Sequence, residues 1–240
     1  MNAVVIGETM RRHLTRGGYI VYLILVALTG IFASTFNKPA AMWPSLVALL
    51  AIITGSSLIG PEFSSATLQL IVSKPIHRWT YLLSRVAGVF ASVALAAIIG
   101  MSAEIGMRWL GGRAPLVWQP SVSTALNALV VAFLAVSLLA LLGSVTRSYF
   151  NVAIYIGAQA ALSAAEAILG VLRMRGPVGE VLQAHPWIER SIIATNDALF
   201  PSASAELGRA LVLRVLVMAT IALTLACLAF ERREVPYGAD

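Results

Sequence analysis

Long apolar runs separated by short polar breaks set the rhythm of this chain. Residues 19–36, 43–60, 86–107, 122–145, 149–172 and 210–230 each hold at most one charged side chain. Each run is about as long as the roughly 20 helical residues needed to cross about 30 Å of hydrocarbon. The pattern predicts an all-α membrane protein with about six transmembrane helices. The first run is longer than the 7–15 apolar residues usual in a signal-peptide core, so it reads as a retained span.

The stretches between the runs have their own patterns. In residues 1–18, Val4, Val5, Ile6, Met10 and Leu14 alternate with Arg11, Arg12 and Arg16 at helical spacing. That predicts an N-terminal interfacial helix with its charges toward headgroups, broken at Gly17-Gly18. Residues 61–85 form the most polar internal stretch. Leu68, Leu70, Ile71 and Val72 suggest a short amphipathic helix within it, ended by Pro75. On the residues alone this is either a handle for a soluble partner or a solvated loop with a basic cluster. Residues 173–208 are the longest non-spanning stretch. There Pro186-Trp187-Ile188, Ile192-Ile193 and Leu199-Phe200 place apolar residues among polar ones. One or two short outer helices are expected, dipping into the interface. No fixed-period repeat interrupts the pattern, so residues 1–240 read as one transmembrane domain.

Composition agrees with the run lengths. Hydrophobic residues make up 59% of the chain and charged residues 12%, against about 25% charged in a typical soluble domain. The net charge of +6 sits mostly beside the apolar runs, where basic side chains meet headgroups. No basic stripe interleaved with aromatics is present, which argues against nucleic-acid binding. The single cysteine, Cys227, lies inside an apolar run and has no intrachain partner. Arg11, Arg12 and Arg16 precede the first span and only Lys38 follows it closely. That bias favours a cytoplasmic N-terminus, and six spans then return the C-terminus to the same side.

Candidate chemistry within the chain is sparse. His13, His77 and His185 lie far apart with no Cys or carboxylate at ligand spacing, so no metal site is expected. No G-x-x-x-x-G-K-[ST], H-E-x-x-H or G-x-S-x-G motif occurs, so neither a catalytic nor a cofactor site is expected. Ionisable groups at membrane depth carry more information, because charge is costly in lipid. Glu104 and Arg108 are four apart and share a helix face, which suits an ion pair near a helix end. Glu166 lies deep in the fifth run with Gln159 two turns earlier. Glu166, Gln159 and Glu104 are therefore the candidates for a translocation path. Arg214 is placed to snorkel. Gly157, Ala161 and Ala165 repeat every four positions, a spacing that permits close helix contact and that an alanine-rich composition also produces.

The polar stretch GPEFSSATLQLIVSKPIHRWTYLLSR resembles the signature region of ABC-2-type permeases, the membrane subunits of one class of ATP-binding-cassette exporters. Glu62, Thr67, Leu68, Pro75, Arg78 and Arg85 fall in register with that pattern. Ala66 replaces its glycine, Ile76-His77 replaces Val-Ser, and Arg85 stands where lysine is usual. The opening GETMRRHLTR, the link TRSYFNVA and the ending FERREVPYG resemble the corresponding parts of the family, in the same order.

This resemblance implies a half-transporter. Two permeases, identical or related, would pair with two separate ATPase subunits in the inner (cytoplasmic) membrane and act as an exporter. A cytoplasmic coupling helix between spans two and three would dock on the ATPase through Glu62, Thr67, Leu68, Leu70, Pro75, Arg78 and Arg85. ATP and magnesium would sit on the partner, and this chain would bind no cofactor. The alternative is a non-transport membrane subunit, an assembly or mechanotransmission partner of an ABC-type ATPase. An intramembrane enzyme would need a nucleophile–base or metal constellation, which the sequence lacks.

Overall fold

A computed structural model describes residues 2–35, 42–59, 77–111, 119–146, 150–172, 185–202 and 208–232. Among these residues the chain is entirely helical: α1 (Ala3–Leu14), α2 (Gly17–Thr35), α3 (Met42–Ser56), α4 (Arg78–Leu110), α5 (Gln119–Val145), α6 (Phe150–Leu172), α7 (Pro186–Leu199) and α8 (Arg209–Arg232). Five of them, α2, α4, α5, α6 and α8, are long and apolar enough to cross a bilayer. The sixth expected span is shorter than its apolar run, because α3 has only 15 helical residues. Its buried stripe of Trp43, Val47, Leu50, Ala51 and Thr54 packs it among α2, α4 and α5. An all-α membrane protein with a short helix between spans five and six matches the sequence expectation.

α5 is the centre of the bundle. Its small and branched residues Ala128, Ala132, Ala135, Val136, Leu139 and Ala140 are almost fully buried. α3, α4 and α8 surround it. α8 offers Val215, Ala219, Ala222, Ala226 and Phe230, a 4-3-4-4 spacing that makes one continuous stripe. α2 packs on α4 through Tyr19, Val26, Gly30 and Ser34. At this crossing two glycines permit close approach. A Cβ on Gly30 would lie 2.6 Å from the Gly100 carbonyl oxygen, and one on Gly100 would lie 2.8 Å from the Trp43 ring.

α1 is held at both ends of its contact with α4. Its N-cap Asn2 accepts from the Val4 amide at 3.0 Å, and the Asn2 backbone N–H donates to Ser84 Oγ at 2.7 Å. Thr9 fills the notch at Gly88, where a Cβ would approach the Thr9 Cβ to 2.7 Å. Arg11 and Arg12 remain exposed, with Arg12 paired to Glu8 at 3.0 Å. The break before α2 falls at Thr15-Arg16, two residues earlier than expected. Thr15, in αR geometry with its N–H on the Arg11 carbonyl, caps α1, while Gly17 and Gly18 open α2. The first amides of a helix need no intrahelical partner, so two glycines cost little there.

Candidate functional site

The chain gathers one end of every spanning segment into a common face, called here the basal end. α1 is attached there through Asn2 and Ser84. Asn151, at the start of α6, donates from Nδ2 to the Ser56 carbonyl at the end of α3 at 3.2 Å. The Asn151 side chain also lies against Gly143 near the end of α5. Arg78, the first residue of α4, donates from Nη1 to the Glu231 carbonyl in the last turn of α8 at 3.4 Å. That carbonyl is one of the four a helix end leaves without an intrahelical donor, and a cation there also suits the helix dipole.

Arg85 makes the densest contact at this end. Its Nε and Nη2 donate to the Leu58 carbonyl at 3.3 and 3.0 Å, and Nη2 reaches the Ser57 carbonyl at 3.4 Å. The guanidinium also stands 6.0 Å from the ring centroid of the buried Tyr81. Arg85 therefore ties the carbonyl end of α3 to the start of α4, the two roots of segment 60–76. The polar stretch expected over 61–85 is thus helical from Arg78 onward, forming the first two turns of α4. Glu62, Thr67, Leu68, Leu70 and Pro75, with the expected coupling helix, lie outside the described residues.

The path candidates separate in space. Glu104 is 1% exposed. Its Oε2 accepts from Trp43 Nε1 at 2.9 Å and its Oε1 accepts from Arg108 Nη2, so the expected i,i+4 pair forms. The carboxylate thereby fastens α3 to α4 at the end opposite the basal face. A buried charge survives only with such partners. Glu166 Oε2 accepts from Asn196 Nδ2 at 2.9 Å, fastening α7 along α6. Asn196 Oδ1 is buried without a hydrogen bond among the described residues.

Gln159 lines a half-open groove of about 380 Å³ between α3, α5 and α6. Leu49 and Ile52, Val131 and Ala135, and Tyr155 form its walls, and Phe200-Pro201 after α7 closes one side. Tyr155 and Phe200 meet edge to face with ring centroids 5.1 Å apart. Glu104 and Glu166 do not line this groove. Phe200 belongs to the apolar pair Leu199-Phe200 expected among polar residues, whereas Trp43 and Tyr155 were not singled out as site residues from sequence. The signal for Trp43 was an aromatic at the head of a short apolar run.

Gly157 and Ala161 are exposed, and the space beside Gly157 is open. Apart from Asn151 and Tyr155 near its basal end, α6 buries almost nothing against the other described residues. Among known families, the pattern described as ABC-2 family transporter protein matches residues 15–173, well over half of the 240 residues. No curated protein matches.

Proposed function

This chain belongs to the ABC-2 family of transporter proteins, and from that premise we propose that it is one of two permeases driven by a pair of separate ATPase subunits as an exporter. Membership makes it a multi-pass membrane permease of an ABC transporter, a transport component that is not itself catalytic. The finer reading is ours. Segment 60–76 contacts the ATPase on the cytoplasmic face, ATP and magnesium are held by that partner, and both termini face the cytoplasm of the cell's inner membrane.

The observation that carries this reading is the Arg85 tie. Any force applied to segment 60–76 enters the membrane through two roots. Arg85 locks them together across Leu58, so α3 and α4 would move as one body. Arg78 then links that body to the end of α8 through Glu231. The Gln159 groove lies against α3, where such motion would change its walls. The largely exposed surface of α6 supports a second permease copy in the assembly.

The test is ATPase stimulation and pull-down of the partner subunit with Arg78→Glu and Leu70→Asp. Like charge or an acid at a desolvated contact is costly, so both variants should insert normally yet bind and stimulate the ATPase weakly. Normal binding and stimulation in both would remove segment 60–76 and its root at the start of α4 as the coupling element.

A further inference from the structure

A second groove, of about 370 Å³, lies at the basal end between the α1–α2 turn and α3. Its polar groups divide into two classes. Most are already engaged: Tyr19 Oη donates to the Ser92 carbonyl at 2.6 Å and Tyr22 Oη to the Leu46 carbonyl at 2.8 Å. Thr54 and Ser57 donate to carbonyls of their own segment, at 2.6 and 2.9 Å. What these residues present to the groove is therefore mainly carbon, extended by Leu50 and Ile53.

The uncommitted groups cluster at one end. His13 is 7% exposed, lines the groove, and its imidazole has no hydrogen bond among the described residues. Arg16 lines the same end and is exposed. Gly18 lines the groove and Gly17 precedes it at the start of α2; their amides have no backbone acceptor among the described residues, and the space beside both is open. A guanidinium, an imidazole N–H and two amides at a helix start form a donor set suited to an anion. Tyr22 lies six residues beyond Arg16, about 9 Å deeper along α2. Ile53 on the opposite wall is 51% exposed, so the groove opens sideways onto the apolar surface of the bundle.

We infer that this groove binds an anionic phospholipid, its headgroup phosphate held by Arg16, His13 and the amides of Gly17 and Gly18, and its glycerol and upper acyl chain lying along Tyr22, Leu50 and Ile53. The donor end accounts for the phosphate, and the side opening accounts for a ligand that remains partly in the bilayer. A small free anion would use only the donor end and leave the apolar wall without a role. The site sits where the amphipathic α1 turns into the first span, which is headgroup level in the leaflet that α1 lies on. The inference depends only on membrane insertion, so it stands or falls separately from the ATPase reading.

The experiment is binding of dioleoylphosphatidylglycerol to the full chain in neutral detergent, read by native mass spectrometry and by the melting temperature. Dioleoylphosphatidylcholine and inorganic phosphate serve as the comparison ligands. Phosphatidylglycerol should bind saturably and raise the melting temperature, with the other two having little effect. Arg16→Gln should weaken that binding about tenfold, the loss of one charge-assisted contact. Ile53→Trp, which fills the groove and keeps every charge, should weaken it as well. Arg12→Gln removes an exposed cation of α1 outside the groove and should leave binding within about twofold. Equal binding of the two lipids, equal effects of Arg12→Gln and Arg16→Gln, or a phosphate effect matching that of the lipid would each overturn the site.

Discussion

At the scale of single residues, buried polar side-chain atoms among the described residues are nearly all hydrogen-bonded, so removing one donor has a defined consequence. Trp43→Phe keeps the ring on Gly100 but leaves Glu104 Oε2 without its indole donor at a fully buried position. The cost should be about 1–3 kcal/mol, the price of an unsatisfied buried acceptor. The melting temperature in detergent should fall, and Glu104→Gln added to it should recover part of the loss by removing the stranded charge. Wild-type melting of Trp43→Phe would show that the tie between α3 and α4 lies elsewhere. His13 behaves differently, because burial and, after it, neighbouring cations disfavour its charged form. Burial, then Arg16 and Arg85, pull its pKa from the ordinary 6.5 down to about 4. The unfolded chain therefore takes up this proton more readily than the folded one. The stability contribution of neutral His13 is full above about pH 6.5 and is lost as pH falls toward 4. In neutral detergent the melting temperature should drop over that window, and His13→Asn should flatten the drop. An unchanged slope in the variant would place the acid sensitivity on other groups.

At the scale of elements, the spans were legible because hydropathy over some 20 residues reports membrane depth directly. The ends of elements were less so. Nothing in the apolar run 43–60 marked that the helix stops at Ser56, where the chain turns and offers the Ser57 and Leu58 carbonyls to Arg85. The polar look of 77–85 suggested a loop, yet Arg78 and Arg85 find their acceptors on α8 and after α3, contacts made by segments distant in sequence. Glu104 was read correctly as paired with Arg108, a local i,i+4 relation. Its Trp43 partner, 61 positions away, left no local signal. The small-residue stripe of α6 illustrates the same limit from the other side. Among the described residues the space beside Gly157 is open and Ala161 is exposed. Ala161→Leu should therefore leave the melting of the single subunit within about 0.5 kcal/mol, as for a surface change, while weakening permease pairing measured by crosslinking or light scattering. Intact pairing and transport in that variant would remove this face of α6 from the interface.

At the scale of the whole molecule, the alternation of helices matters more than any one contact. α2 leaves the basal end and α8 returns to it, and α3, α4, α5 and α6 place Ser56, Arg78, Gly143 and Asn151 there as well. The contacts at the basal end gather these helix ends on one side, while the proposed cytoplasmic assignment of that side rests on the basic bias around the first span. These two arguments are independent, and labelling separates them. Cys227, the one cysteine, is half-buried in α8 and is first replaced by Ala. Single cysteines then go in at Thr15, in the exposed α1–α2 turn, at Ser64 in the segment between α3 and α4, and at Gly111, exposed at the far end of α4. In intact cells an impermeant maleimide should label only the Gly111 position, and the other two should react only after the membrane is permeabilised. Labelling of Thr15 and Ser64 but not Gly111 would keep the bundle and invert its orientation, which would put the Arg85 tie on the wrong side for a cytoplasmic ATPase. Labelling of Thr15 and Ser64 from opposite sides would be more serious. It would mean that α2 and α3 do not return the chain to its starting face, and the basal end assembled around Arg85 would not exist.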